Sequence, residues 1–369
     1  MSYTFADALF KNNYPKLVNC KLSIVSFICI INQMSIFDKI KDYTDKNPLR
    51  FHTPGHNGIL NPYDVTELAD ESFPADSIIK AQTRVAEFYG AKYCRFLVNG
   101  SSIGIKAAIL ALNGDILTTS HCHQSIAEGC NLAKVELFKC DTGFDNKGLP
   151  NLPTIDDIKS AFKNHPTIKA VYLESPDYYG RVLDSQIIDY IKQSGKLFFC
   201  DAAHGAHFNA SGKLKNLSYS NKADVINLSA HKTLNAYTQA AFLCVNNQNL
   251  ISEIDMALKN LGTTSPSYLL LSSLESCIVT AINFKDEYNR LHDDIKELKQ
   301  EFVCLQNDDF TRVVVDASQF NLTGKDLSAK LIKQNIYAER HCGDYLVFIF
   351  TINHTTQEIE FLRSTLEEL

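Results

Sequence analysis

The sequence has no surplus of basic residues, no CxxC pair and no apolar run of membrane-spanning length. Its 36 Lys and Arg are outnumbered by 42 Asp and Glu, which gives a formal net charge of -6 over 369 residues. Nucleic-acid and anionic-membrane surfaces require clustered Lys and Arg, so small molecules are the favoured partners. Eleven cysteines are scattered without pairing motifs, which indicates reduced thiols in the cytoplasm rather than a disulfide framework or a zinc knuckle.

The first 33 residues are considered as a separate segment. Three lysines precede an apolar run at residues 22–31, in the order of the charged and apolar regions of a signal peptide. The run is shorter than the roughly 20 apolar residues of a membrane span, and no small-residue cleavage site follows it. We therefore expect residues 1–33 to be an extension upstream of a natural start at Met34, with an amphipathic extension packed on the body as the alternative.

The centre of the chain alternates short apolar segments with amphipathic segments of helical length. Such repetition predicts an α/β fold with a mostly parallel sheet covered on both faces, at whose carboxyl edge ligands bind. Thr154 and Asp157 have the spacing of a capping box at the start of one helix. The predicted strands cover residues 93–99, 115–120, 135–139, 169–175, 196–202, 224–230 and 240–245.

A second, smaller unit begins near residue 260. Residues 269–304 contain few helix breakers and predict one long helix. Strand patterns and a final helix follow at residues 313–318, 336–340, 345–352 and 355–369. The predicted division is an extension at 1–33, an α/β large domain at 34–260 and a small α+β domain at 261–369.

Asp201 and Lys232 carry the strongest chemical signal of the chain. Asp201 ends the apolar run at 196–202, and Lys232 follows the next strand within the segment SAHKTLNAYTQ (229–239). A lysine near a buried sheet edge is energetically costly without a partner. An amine that forms an imine and a carboxylate that keeps a pyridine nitrogen protonated are what pyridoxal 5'-phosphate (PLP) requires. The two residues therefore point to a PLP site, although a strand-end aspartate is also a common structural acceptor.

A phosphate site is predicted at residues 99–102, where Asn-Gly-Ser-Ser joins a strand to an apolar helix. Free amides at a helix start, together with the hydroxyls of Ser101 and Ser102, suit a phosphate. The same pattern also serves as an ordinary helix cap. Ser229 and His231 lie close to Lys232 in the sequence, and both residue types can contact the same phosphate.

Histidines leave a second chemistry open. His121 and His123 follow one predicted strand, and His204 and His207 follow Asp201. Imidazole and carboxylate groups gathered at strand ends also build catalytic zinc sites. A metal-dependent hydrolase is therefore the alternative outside PLP chemistry, whereas the favoured interpretation contains no metal.

Seven sequence blocks resemble, in the same order, those of the ornithine/lysine/arginine decarboxylases, which are fold-type I PLP enzymes with the aspartate aminotransferase fold. The resemblance extends from about residue 35 to the end of the chain, and AHKTL and TSPSYLL are its most specific parts. The blocks are FHTPGHNG (51–58), NGSS (99–102), HQS (123–125), SPDYYG (175–180), DAAHGAHF (201–208), SAHKTL (229–234) and TTSPSYLLLSSLE (263–275).

The resemblance implies a role for each matching residue. Lys232 would bind PLP as an imine, Asp201 would pair with its pyridinium, His123 would stack on its ring and His204 would lie beside cofactor and substrate. Lys232, His204 and Asp201 would be the catalytic residues. The phosphate ligands would be Ser101, Ser102, Ser229 and His231, with Thr264 and Ser265 reaching the phosphate of a neighbouring subunit. A homodimer would then be the minimum active unit.

The implied reaction is decarboxylation of arginine, lysine or ornithine to an amine, in polyamine-type metabolism. Glu339 matches an acidic position of the small domain and would face the cationic substrate tail, unless it is a solvated surface charge. Alternatives that use PLP are an aminotransferase, a carbon–sulfur lyase and a binding protein without turnover. An aminotransferase would bind the α-carboxylate through an arginine, for which Arg312, Arg340 and Arg363 are available.

The chain departs from the family pattern at several positions, but the imine residues are intact. We expect the protein to lack the amino-terminal wing domain and much of the carboxyl-terminal extension of long family members, and we therefore do not expect their higher assemblies. The departures are Asn57 for lysine, Ile59 for glycine, Ser120 and His121 for an Arg-Asn pair, Gln124 for lysine and Ala202 for glutamate. They bear on the choice of substrate.

Overall fold

The apolar runs of the central region form a seven-stranded sheet in the computed structural model, which describes residues 35–66 and 75–369. The strands are β1 (Tyr93–Leu97), β2 (Ile116–Thr119), β3 (Leu137–Cys140), β4 (Ala170–Glu174), β5 (Leu197–Asp201), β6 (Val225–Leu228) and β7 (Ala241–Val245). Their spatial order is β1-β7-β6-β5-β4-β2-β3. Strand β7 is antiparallel to β1 and β6, and the other pairings are parallel. The predicted α/β fold with a mostly parallel sheet is confirmed.

Helices cover both faces of this sheet because its strands are buried on both sides. They are α1 (Ser35–Asp45), α2 (Ala75–Tyr89), α3 (Ser101–Leu112), α4 (Gln124–Ala133), α5 (Ile155–Asn164), α6 (Ser185–Gln193), α7 (Ala230–Thr233) and α8 (Ile251–Leu261). Ile105 of α3 and Ile126 of α4 pack on one face, and Ile158 of α5 and Ile187 of α6 pack on the other. The predicted capping box of Thr154 begins α5.

The second half of the chain contains a three-stranded antiparallel sheet with its own apolar core. Its elements are α9 (Tyr268–Asn283), α10 (Glu287–Glu301), β8 (Arg312–Asp316), α11 (Gly324–Ile332), β9 (Arg340–Cys342), β10 (Tyr345–Ile349) and α12 (Thr356–Glu367). The spatial order is β8-β10-β9. Strand β9 begins later than the predicted strand at 336–340. Among the described residues, no helix has both the length and the apolar character needed to cross a membrane.

The single helix predicted for residues 269–304 is wrong, since the chain forms two helices there. Helix α9 packs Leu274 and Ile278 into the core of the large sheet. Helix α10 instead buries one stripe, with Leu291 and Ile295, against the small sheet. The chain must change direction between the two cores, so the helix breaks at residues 284–286. The domain division at residue 260 stays a prediction, and the proposed extension at 1–33 lies outside the described residues.

Candidate active site

A row of three polar side chains ends three neighbouring strands of the large sheet. Glu174 of β4 pairs in register with Asp201 of β5, and Asp201 pairs with Asn227 of β6. Paired residues of adjacent strands point to the same face of a sheet, so these side chains form one row. Asp201 and Asn227 are buried and Glu174 is partly exposed. The predicted carboxyl edge therefore carries two adjacent carboxyl groups.

A cavity of about 620 Å³ opens at this edge. The predicted residues that line it are Ser101, His123, Asp201, His204 and Lys232, together with His121. Tyr178, Arg340 and Cys342 also line it, so segments of the small sheet contribute to its wall. The cavity is large enough for a cofactor and an amino acid, since small-molecule sites range from about 300 to 1,000 Å³.

Lys232 and His204 are joined by a hydrogen bond in this cavity. The distance from Lys232 Nζ to His204 Nε2 is 3.0 Å. The His204 ring is buried and packs edge-on against Tyr178, with ring centroids 4.8 Å apart. Burial lowers the pKa of Lys232, and the nearby Arg312 adds to this effect, whereas Asp201, Glu174 and Glu339 oppose it. The surroundings therefore favour the uncharged, nucleophilic amine more than water does.

Asp201 is held by its own chain and by nearby positive groups. The backbone N–H of Ala203 donates to Asp201 Oδ1 over 3.0 Å. Burial raises the pKa of Asp201, whereas this hydrogen bond and the charges of Lys232 and His123 oppose that rise. A buried carboxyl with such neighbours suits a ligand that brings a positive charge to it.

Glu174 is a site residue that the sequence interpretation missed. Its Oε1 accepts a 3.0 Å hydrogen bond from the backbone N–H of His123. Burial, followed by the charges of Asp201 and Asp177, raises the pKa of Glu174 to about 8. The signal was available, because Glu174 ends the predicted strand at 169–175 just as Asp201 ends its own strand.

The predicted phosphate residues at the start of α3 and at Ser229 have groups that a ligand could contact. Helix α3 begins at Ser101 after Gly100, which supplies no side-chain cap, so the amides of its first turn remain available to a ligand. The Gly100 N–H donates to the carbonyl oxygen of Gln239 over 2.8 Å, which ties this turn to the loop after Lys232. The Ser229 hydroxyl is fully buried and has no hydrogen-bond partner among the described residues.

Other predicted residues have different surroundings. Ser102 belongs to the first turn of α3 but does not line the cavity, and His231 faces a separate pocket of about 300 Å³ behind Lys232. His231 Nδ1 lies 3.1 Å from the carbonyl oxygen of Ala240. Thr264 and Ser265 are exposed and lie outside the cavity wall. Their predicted contact with a neighbouring subunit stays a prediction.

Glu339 does not line the cavity itself but contacts Tyr178, which belongs to the cavity wall. The Tyr178 hydroxyl donates to Glu339 Oε1 over 2.9 Å, and the Arg340 guanidinium lies 5.5 Å from the centre of the same ring. Both charged side chains are exposed. An acidic and a basic group therefore flank the same aromatic ring at the entrance.

The four histidines considered for zinc have separate partners. His123 caps α4 by accepting from the Ser125 N–H, and His121 packs on Phe144. His204 contacts Lys232, whereas the buried His207 Nε2 lies 3.2 Å from Asp309 Oδ1. No group of three or more potential ligands suited to a metal ion occurs among the described residues.

The residues at this edge fit PLP. The Lys232 amine suits its aldehyde, the Asp201 carboxyl suits its ring nitrogen, and the Ser229 hydroxyl with the first turn of α3 suits its phosphate. Fold and site together define a fold-type I PLP enzyme.

The chain belongs to the Orn/Lys/Arg decarboxylase family, whose major-domain model matches residues 62–319. This match confirms the predicted family and cofactor and the predicted class, PLP-dependent amino acid decarboxylases. The uncharacterized protein YaaO of Bacillus subtilis is 29% identical over 90% of this chain and 77% of its own length. The arginine decarboxylase of Bacillus anthracis is 24% identical over 90% of this chain and 76% of its own length.

A solved structure agrees on the fold. The lysine decarboxylase LdcF of Francisella novicida superposes with a TM-score of 0.79 at 14% identity, over 91% of this chain. The alignment spans 59% of the length of LdcF. At this identity the similarity confirms the fold type and carries no information about the substrate.

Proposed function

We propose that the protein decarboxylates a basic amino acid (arginine, lysine or ornithine) to the corresponding amine, with PLP attached to Lys232. The observation that carries the proposal is the Lys232 amine, 3.0 Å from His204 in a cavity that also contains the buried Asp201. We also propose that the enzyme is cytoplasmic, serves polyamine-type metabolism and works as a homodimer whose subunits share their active sites.

Each residue of the cavity has a proposed task in this reaction. When bound, PLP supplies a pyridinium that accepts the electron pair released from the Cα–carboxylate bond. Asp201 holds the proton on the ring nitrogen by opposite charge. Lys232 provides the attacking amine, and the Lys232–His204 pair delivers the proton that Cα requires after carbon dioxide has left. Tyr178 covers the His204 ring and keeps water away from it.

Glu339 is the proposed partner of the cationic substrate tail. Its carboxylate accepts a hydrogen bond from Tyr178, which lines the cavity, so it is oriented while it remains exposed. An oriented carboxylate selects ammonium or guanidinium groups over neutral tails.

An aminotransferase is a second candidate because one of the three arginines considered for it, Arg340, lines the cavity. Arg340 contributes to the wall beside Tyr178 and is available for an α-carboxylate. The two other arginines are not available. Arg312 is fully buried behind His204, and Arg363 forms ion pairs with Glu301 and Glu360.

The test is a parallel incubation of the PLP-loaded wild type and Lys232→Ala with arginine, lysine and ornithine. We expect stoichiometric amine and carbon dioxide from at least one substrate with the wild type, and background levels with Lys232→Ala. Lys215→Ala removes an exposed lysine between β5 and β6 of the same sheet. It is the matched control and should retain full activity.

Other products would contradict the proposal in distinguishable ways. A keto acid without carbon dioxide would identify an aminotransferase that uses Arg340. A yellow chromophore with no turnover of any substrate would identify a binding protein. Stoichiometric zinc without a chromophore would favour a hydrolase.

A further inference from the structure

Arg312 is a fully buried cation whose side chain points at the catalytic pair. It is the first residue of β8 in the small sheet, yet its Nη2 lies 3.1 Å from His204 Nδ1 and 3.4 Å from the His204 carbonyl oxygen. Space for it is left by Gly180, where an added Cβ would lie 2.8 Å from Arg312 Cβ. A buried guanidinium is costly unless its donors are used, so its contact with His204 calls for a physical reason.

The hydrogen-bond types fix the proton on His204. A guanidinium carries donors and no acceptor, so His204 Nδ1 must accept the bond from Arg312. A neutral imidazole with an unprotonated Nδ1 carries its proton on Nε2. That Nε2–H faces Lys232 Nζ at 3.0 Å, and the lysine nitrogen must then accept. An ammonium has no lone pair and cannot accept, so the chain of contacts requires an uncharged lysine.

The alternative proton arrangements conflict with this geometry. If Lys232 were an ammonium that donates to His204 Nε2, the neutral imidazole would carry its proton on Nδ1, directly against an Arg312 N–H. A doubly protonated His204 would direct its Nδ1–H at the Arg312 guanidinium and its Nε2–H at a Lys232 ammonium. Either arrangement places two N–H groups opposite each other in a buried site, which forfeits a hydrogen bond.

We propose that Arg312 is a positioning residue that fixes His204 as the Nε2–H tautomer and thereby holds Lys232 as an uncharged amine before PLP binds. The consequence for catalysis rests on the proposed role of Lys232. The tautomer itself follows from the protein alone.

Burial and Arg312 act in the same direction on both members of the pair. Burial, then Arg312, lowers the pKa of His204 well below its usual value. Burial lowers the pKa of Lys232, and Arg312 adds to this effect against Asp201, Glu174 and Glu339.

The positive charge of Arg312 has its own counterion. Asp309 lies two residues before Thr311, whose hydroxyl bridges the two groups by donating to Asp309 Oδ1 at 2.7 Å while lying 3.5 Å from Arg312 Nη1. Although burial opposes it, His207, Arg312 and Thr311 lower the pKa of Asp309 to about 2. Burial lowers the pKa of Arg312, and the negative charge of Asp309 is the main influence that opposes this lowering.

The first test reads the tautomer directly in the cofactor-free protein. Histidine labelled with ¹⁵N gives distinct signals for protonated and unprotonated ring nitrogens, and His204→Gln assigns the His204 pair. We expect a protonated Nε2 and an unprotonated Nδ1 in the wild type and in Arg312→Lys, which keeps a charged donor. Arg312→Met, which has no donor, should lose this preference. Protonation of Nδ1 in the wild type would overturn the proposal.

The second test measures the reactivity of the Lys232 amine. Chromophore formation after mixing cofactor-free protein with PLP is followed from pH 6 to 10. Loss of the Arg312 charge should raise the pKa of Lys232, so Arg312→Met should form the chromophore about 10-fold more slowly near neutral pH and at the wild-type rate at high pH. Arg363→Met, a surface arginine of the same sheet region, should match the wild type. An unchanged pH profile in Arg312→Met, with normal folding by circular dichroism, would refute the proposal.

The two proposals fail separately. If Arg312→Met loses the tautomer preference of His204 as expected but the wild type releases no amine from any basic amino acid, only the proposed function is wrong. If the wild type decarboxylates but Arg312→Met leaves the tautomer unchanged, only the role of Arg312 is wrong.

Discussion

The active site is built from two sheet edges that differ in how their polar groups reach it. At the large sheet, Glu174 and Asp201 end buried apolar strands, so the backbone itself delivers them to the cavity. At the small sheet, Arg312 begins a strand that is buried along its whole length and acts through His204. Under the proposals above, the large sheet supplies the reacting groups and the small sheet adjusts their protonation and selects the substrate tail.

The largest expected effect comes from removing the charge of the large-sheet edge. Asp201→Asn keeps the size of the side chain but removes its charge. Loss of a buried charged partner costs about 3 kcal/mol, so kcat/KM should fall roughly 100-fold. Steady-state amine formation measures it, and the exposed Asp189→Asn on α6 is the control. Activity within a few-fold of the wild type would remove Asp201 from the reacting groups.

A smaller effect is expected from the second carboxyl of the same edge. The pKa of Glu174 is about 8, above its ordinary value of 4.5, so the folded protein retains a proton that the unfolded chain releases between these values. This contribution to the free energy of unfolding is complete below pH 4.5 and is lost as the pH rises towards 8. Glu174→Gln should therefore reduce the fall in the free energy of unfolding between pH 4.5 and pH 8.

The measurement is urea unfolding of the cofactor-free protein at several pH values. Glu253→Gln alters an exposed residue of α8. In this control variant, the free energy of unfolding should fall with pH as it does in the wild type. A Glu174→Gln protein that loses stability with pH as steeply as the wild type would show that Glu174 is ionised in the folded state.

The smallest effect is expected at the small-sheet edge. Glu339→Gln should raise KM for the basic amino acid about 5-fold with little change in kcat, because an exposed ion pair contributes up to about 1 kcal/mol. A neutral amino acid of equal length should show no change, and Glu367→Gln is the control on the same lobe. A fall in kcat at constant KM would give Glu339 a role in the reaction itself.

The large-sheet edge could be predicted from the sequence, because buried parallel strands are continuous apolar runs whose ends are marked by the first polar residue. All seven predicted strands occur, and Asp201 and Lys232 meet at one cavity. Glu174 satisfied the same rule and was overlooked, although it directly precedes the SPDYYG block at 175–180. The family resemblance supplied the individual roles, which local pattern alone left open.

The small-sheet edge was harder to predict for a physical reason. The direction of Arg312 depends on how one sheet packs against a loop more than a hundred residues away, at His204. No periodicity within RVVVD records that packing. The break between α9 and α10 has the same origin, since both halves favour helix and only the separation of two cores interrupts them.

The hydrogen bond from the Gly100 N–H to the Gln239 carbonyl oxygen has a consequence for the variability of this region. It joins main-chain atoms, so it can form whichever side chain occupies position 101. Gly100 and Gln239 both have positive φ angles, 76° and 77°, so we expect substitutions to be tolerated less well at these two positions than at position 101.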